Sequence, residues 1–343
     1  MEFTAGGRLE VRITHADVGK RVSVRYVTDA ADPGGKFTDA VGVLTSWDHG
    51  VVLITRRTGE AVRIAESTLV AGKVVPAAPA RRRGPAASFE ELARAMARGW
   101  QPVESEALGD WTLRASGGFT RRANSVLPLG DPGLPMEAAL ARVREWYAER
   151  DLPAYVQTAT GAEGTQELLC ADLERHGWRA EVTAEVRVGG LAPVGDLDAD
   201  VARVRLARNV DESWLRRYNR SGGGGAGGGG AGVVGPHVLS VLSSGPSVWF
   251  ASVPGTGDIP AAIGRCVVDG RWAGFMAVEV DPAYRRQGLA TAVMTALARQ
   301  ALDEGASAAW LQVETDNDGA RAMYERMGFA VHHHYHHYRP ADV

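Results

Sequence analysis

The strongest constraint on this 343-residue chain is a strand–loop–helix transition toward its C-terminal end: Val278-Glu279-Val280-Asp281-Pro282-Ala283-Tyr284-Arg285-Arg286-Gln287-Gly288-Leu289-Ala290-Thr291. An apolar strand over Gly274 to Val280 stops at Asp281-Pro282, a loop with two arginines follows, and the spacing predicts a helix from Gly288 to Glu304. A helix start leaves its first backbone N–H groups unpaired and concentrates partial positive charge there. A pyrophosphate suits such a turn. Gly288 would let the backbone approach the phosphates, small Ala290 and Thr291 keep the first turn uncrowded, and Arg285 and Arg286 add charge. Alone this is weak, because one glycine between a strand and a helix is a common structural turn.

A second block lies some 30 residues on. Leu311-Gln312-Val313-Glu314 reads as a strand, followed by Asn317, a helix carrying Ala320, Ala322, Met323 and Tyr324, and then Gly328-Phe329. Together the two blocks resemble the GNAT superfamily of N-acetyltransferases. Arg285 to Ala290 matches that family's pyrophosphate signature Q/R-x-x-G-x-G/A, with Ala290 at the last position. The run from Asn317 through Tyr324 to Gly328-Phe329 matches its second block.

The resemblance implies acetyl-CoA as cosubstrate and no metal. Val278 and Val280 would bond the acetyl and pantetheine amides through their backbone, in a splayed strand pair. Arg285 would add charge, and the amides of Arg286, Gln287, Gly288, Leu289, Ala290 and Thr291 would hold the diphosphate. Asn317 would touch the pantetheine arm, and Tyr324 would protonate the leaving thiolate, for which a phenol is a suitable donor. The general base stays open. Some relatives carry a glutamate twelve residues before the tyrosine, where this chain has Gln312, which takes no proton usefully. Glu314, on the same strand face, and Glu279, on the preceding strand, are the candidates; each is equally readable as a structural carboxylate.

The rest of the chain reads as a mixed α+β and α/β fold. Residues 1–78 alternate in short strands such as Val22 to Val27, Val51 to Thr55 and Ala61 to Ile64, separated by turn signals including Asp32-Pro33-Gly34-Gly35, and suggest a small barrel. Residues 79–88, with Pro79, Pro85 and Arg81-Arg82-Arg83, read as a linker, and Ser88 with Glu91 marks a helix start. Residues 89–197 and 198–343 each alternate strand and helix; the second contains the tract 221–232, whose glycines and alanines cannot bury a core. This organisation resembles actinobacterial proteins in which an SH3-like barrel precedes two GNAT-type halves. In that comparison 89–197 is a degenerate half, without the Arg-x-x-Gly turn. Its polar run Gly118 to Ser125 is either a substrate-cleft wall or a hairpin with exposed arginines.

Charge narrows the function further. The net charge is −3, and the first 78 residues carry ten positive against nine negative side chains, which argues against nucleic acid as a partner. No stretch of 18 apolar residues suggests a membrane span, and no apolar leader is visible, so a cytoplasmic setting is expected. Cys170 and Cys266 have neither metal-ligand spacing nor an adjacent histidine motif, so a covalent acetyl-enzyme is not expected. His332-His333-His334-Tyr335-His336-His337 could present three imidazoles on one strand face to a metal, or be an ordinary His-rich final strand. The reading that results is direct attack of a primary amine, from a protein or a small molecule, on acetyl-CoA in a ternary complex. The alternative is a non-catalytic protein that senses acetyl-CoA or binds a partner.

Overall fold

The computed structural model describes residues 10–28, 37–76, 84–218 and 235–341. The Asp32 to Gly35 turn, the Arg81 to Arg83 triplet and the glycine tract 221–232 lie outside the described residues.

Five N-terminal strands, β1 (Arg21–Val27), β2 (Phe37–Asp48), β3 (Val51–Thr55), β4 (Ala61–Ala65) and β5 (Leu69–Val74), form an antiparallel sheet in the order β4-β3-β2-β1-β5. Alternation puts Val22, Val24, Leu44, Val52, Ile54 and Ile64 on one inner face, each worth roughly 1.5–3 kcal/mol once removed from water. Among the described residues β4 and β5 do not pair, so the expected barrel is an open sheet.

Next come α1 (Phe89–Gly99), β6 (Glu104–Leu108), β7 (Trp111–Ala115), β8 (Leu127–Pro128), α2 (Met136–Ala148), β9 (Val156–Thr160), α3 (Glu167–Arg175) and β10 (Trp178–Gly190). Ser88 caps α1 by accepting the Glu91 N–H at 3.1 Å, while the Glu91 carboxylate turns to Arg271 and Trp272 instead of closing a reciprocal box. The chain from Gly117 to Val126 is mostly irregular, because the Asn124 side chain bonds the Ser116 and Gly118 N–H groups and holds it in a loop. Strand β6, Glu104 to Leu108, forms without apolar alternation and is exposed along most of its length.

The chain ends with α4 (Ala192–Gly195), β11 (Arg205–Ala207), α5 (Glu212–Arg217), α6 (Pro236–Leu242), β12 (Ser247–Val253), β13 (Ala262–Asp269), β14 (Trp272–Val280), α7 (Leu289–Asp303), β15 (Ala308–Glu314), α8 (Asp318–Arg326) and β16 (Ala330–Pro340). Val201–Arg203 form a 3-10 turn that leads into the short β11.

The main sheet has eight strands, β11-β12-β13-β14-β15-β10-β16-β9, with β14 and β15 as its parallel neighbours. Strand β10 is bonded on one side to β15 and on the other to β16, and β16 in turn pairs with β9. The final strands of the middle and C-terminal segments are therefore exchanged, and both segments share one sheet. The His-rich run is this buried β16: His336 sits between the Thr160 and Thr183 hydroxyls at 2.9 Å each, and His332 reaches the Ala87 carbonyl at 3.0 Å. Arg57 of the N-terminal sheet donates to the carbonyls of Val331 and His332, which fixes that sheet against β16.

Candidate active site

The site begins where two ladders part. Strands β14 and β15 pair in parallel from Trp272↔Ala308 to Phe275↔Leu311 and no further. Beyond that point β14 keeps its antiparallel partner β13 as far as Val280↔Ala262, and β15 keeps β10 as far as Glu314↔Ala184. A bulge opposite Gly264, with Ala277 at φ +51°, turns β14 away. The wedge so opened is a cavity of about 840 Å³.

Helix α7 starts at its mouth. Gly288 is the N-cap at φ +76°, a conformation that a side chain resists, and nothing lies within 4 Å of where its Cβ would be. No side chain caps the helix and no acid sits in its first turn. The first return bond runs from the Ala292 N–H to the Gly288 carbonyl at 2.9 Å. The amides ahead of it belong to Gly288, Leu289, Ala290 and Thr291, which all line the cavity with Arg285 and Arg286. Gln287 is exposed and does not line it. The arrangement suits a polyanion with an extended tail: phosphate at the helix start, the tail in the wedge beside Val278 and Val280.

Tyr324, on α8, closes the inner end. It is buried and packs edge-on to Phe329 at 6.1 Å; burial pushes its phenol up to about 12, so it holds its proton at neutral pH. Asn317 also lines the cavity, but its side chain caps α8 by accepting the Ala320 N–H at 3.1 Å. Glu279 and Glu314 both face the same space from opposite strands.

Other residues arrive from outside the two sequence blocks. Arg122, from the polar run before β8, lines the cavity, donates to the Gln312 side-chain oxygen and lies 4.9 Å from the Trp100 ring. Tyr218, Met276 and Tyr335 line it as well. Only Arg122 had a signal in the sequence, the dense polar run; Tyr335 lies on β16, whose place depends on the strand exchange, and Tyr218 ends α5 against Phe119 and Trp214. Behind the wall made by Arg122, Gln312 and Tyr335 is a small void of about 30 Å³ that also touches Arg114 and His333. Arg114 and Arg265 are buried near this end, each satisfied by neutral oxygens: Arg114 by the Ser125 carbonyl and hydroxyl and Gln157, Arg265 by the carbonyls of Leu242, Gly99 and Ser244. Burial lowers them to about 10 and about 9, so both stay charged at neutral pH.

Comparison with known proteins settles the kinship. The family described as "Probable histone acetyltransferase Rv0428c C-terminal" matches residues 86–338, most of the chain. The chain belongs to this family. Its N-terminal sheet matches the companion "Rv0428c N-terminal Sm-like domain" over residues 16–73, which replaces the SH3-like expectation. The "Probable histone acetyltransferase Rv0428c" of Mycobacterium tuberculosis is 28% identical over 318 residues, covering 92% of this chain and 93% of that protein. The ribosomal protein bS18-alanine N-acetyltransferase of Escherichia coli K12 is 40% identical over 52 residues, 15% of this chain and 35% of its own length. Among solved structures, a GCN5-related N-acetyltransferase from Kribbella flavida aligns with a TM-score of 0.52 at 19% identity, over 74% of this chain and 95% of that one.

This member of the Rv0428c family is thus an acetyltransferase of the GNAT type, as the two sequence blocks implied. Among its described residues no group of three or more His, Cys, Asp or Glu is placed to hold a metal, and no helix is long and apolar enough to cross a membrane.

Proposed function

We propose that the chain transfers an acetyl group from acetyl-CoA to an amine by direct attack in a ternary complex. The observation that carries this reading is the uncapped start of α7 opening on the same cavity as the buried phenol of Tyr324. The diphosphate would lie on the amides from Arg286 to Thr291, with Arg285 and Arg286 alongside. The pantetheine arm would follow Val278 and Val280 past Asn317, whose amide nitrogen is free to donate while its oxygen caps α8.

The amine nitrogen then attacks the thioester carbon, the C–S bond breaks, and the thiolate takes the Tyr324 proton. Glu279 or Glu314 would accept the proton the amine loses, directly or through water. No nucleophilic cysteine is needed, and none is available: Cys170 and Cys266 are buried, and burial pushes both thiols up to about 12. The acceptor is an amine of a protein or of a small molecule. The same reading divides the chain into 1–78, a linker 79–88, a degenerate GNAT-like half 89–197 and the cofactor-binding half 198–343, acting in the cytoplasm.

Turnover of acetyl-CoA across a diverse amine panel, with mass spectrometry of the product, tests the proposal; an acetylated amine is expected. The alternative, a non-catalytic acetyl-CoA sensor, draws on Gln312, which Arg122 holds where some relatives place a glutamate. Tight acetyl-CoA binding with no acetylated product from any amine would favour it.

A further inference from the structure

Acetyl transfer as proposed gives no task to Arg122, the cation that enters the cavity from outside the two GNAT blocks. Three guanidinium groups gather at this end. Arg122 and Arg265 lie 4.9 and 5.0 Å from the same Trp100 ring, and Arg114 borders the adjoining void together with Arg122. None of the three forms an ion pair among the described residues, and every hydrogen-bond acceptor they have is a neutral oxygen or sulfur.

The void supplies a second, independent sign. His333 lines it, is fully buried, and its Nε2 has no hydrogen-bond partner. At about 30 Å³ the space is large enough for about two water-sized groups, the bulk of a carboxylate head. Uncompensated buried cations are costly, and a negative group brought to them gains more than it would in water. Gln312 fits the same logic. A glutamate there would pair with Arg122 and cancel it; the amide oxygen takes one of the five guanidinium N–H donors and leaves the charge for a ligand.

We propose that the acceptor amine carries a carboxylate, as an amino acid does, and that Arg122 receives it at the wall between the cavity and the void. This rests on the acetyl-transfer reading. Arg122 is then a specificity-determining residue, and Arg114 and Arg265 act on the carboxylate through their field. The same positive wall disfavours strongly cationic peptides as acceptors.

Matched acceptor pairs test this: amino acids against their primary amides, assayed with the full chain and acetyl-CoA by thiol release. The wild type should favour the carboxylate member in kcat/KM by roughly ten- to a hundredfold, the worth of a charge-assisted hydrogen bond. Arg122→Gln and Gln312→Glu should each bring that ratio near one, mainly through KM, with acetyl-CoA affinity by calorimetry retained as proof of folding. A wild-type ratio near one or reversed, or a preference that survives in Arg122→Gln, overturns the proposal. If no pair is turned over although acetyl-CoA binds, the transfer reading fails separately. Docking is then read from thermal stabilisation of the CoA-saturated protein: stabilisation by the acid alone upholds the carboxylate site, and equal effects of acid and amide overturn it.

Discussion

Helices α2 and α7 both follow a strand through a short loop containing glycine and proline, and both pack an apolar face on a sheet, yet their starting ends have opposite surroundings. At α7 no side chain caps the helix and no acid sits in its first turn, the Asp281 carboxylate of the loop is turned to Arg217, and a cavity lies in front. At α2 the loop is stoppered by the β6–β7 turn. The Asp110 N–H donates to the Asp131 carbonyl at 2.7 Å, and the Asp131 carboxylate accepts the Gly133 N–H at 2.6 Å. Gly109, at φ +56°, permits this approach, since a Cβ there would sit 2.4 Å from the Pro132 carbonyl carbon. Asp110, Asp131 and Glu137 together place negative charge where the helix end is positive. Behind them Trp111 donates its indole N–H to the Gly130 carbonyl at 3.0 Å, and it shares a buried core with Ala139 and Leu140 of the first turns of α2. A helix start becomes an anion site only where the loop withholds its own carboxylates and side-chain bulk.

The sharpest way to break this contrast is to give α7 what α2 has. Gly288→Glu puts a carboxylate at the helix start and a side chain in a left-handed conformation. Acetyl-CoA affinity should fall by more than about a hundredfold, from like-charge repulsion and the loss of amide contacts. Calorimetry showing unchanged affinity would mean that the diphosphate lies elsewhere. Tyr324→Phe should follow in size, because it removes only the proton donor: kcat falls about ten- to a hundredfold, the low end for general acids since a thiolate leaves readily. Acetyl-CoA affinity should hold, and an unaltered kcat would reduce Tyr324 to packing against Phe329.

The two regions differ at their helix starts but share the strands β10 and β16, and that sharing is open to acid. Burial, with help from the neighbouring His334 charge, lowers His336 from 6.5 to about 4, and His333 and His337 are also lowered well below their ordinary value, mainly by burial. Between these values the unfolded chain binds protons that the folded chain refuses, so stability is full above pH 6.5 and drains as pH falls toward 4. His336 alone should cost about 2 kcal/mol by pH 5. Urea titrations at pH 7 and 5 should show one transition moving to lower urea, and His336→Gln should flatten the shift. Two separate transitions would show that the exchanged strands do not bind the regions into one unit.

How much of this was legible beforehand follows from range. Gly288, Asn317 and Tyr324 announce themselves because helix starts and short motifs are local chemistry, and all three line one cavity, as the family resemblance implied. Gln287, counted with them from the signature for its amide, is exposed and its side chain does not line the cavity. Arg122 and Tyr335 could not be placed, because their position depends on β10 and β16 changing partners, a pairing without any local pattern, and Tyr218 reaches the cavity through long-range packing against Phe119. The six-residue His run left a metal face and an ordinary final strand both open for the same reason: only pairing on both sides of β16 buries it. The open N-terminal sheet was equally hidden, since strand alternation reports which face is buried and not whether the edges meet.

The smallest expected effect tests the α2 side alone. Asp131→Ala deletes the carboxylate that accepts the Gly133 N–H while leaving the Asp110 N–H bonded to the residue-131 carbonyl. The loop loses one charge-assisted turn bond at an exposed site, which should lower stability by about 1 kcal/mol, read as a shift in the urea midpoint. Because Trp111 and the β6–β7 turn still fill the region, removing one acid should not create a phosphate site there. Acetyl-CoA should bind the variant at one equivalent per chain with unchanged affinity. A second equivalent would mean that charge alone, and not packing as well, keeps α2 from holding an anion.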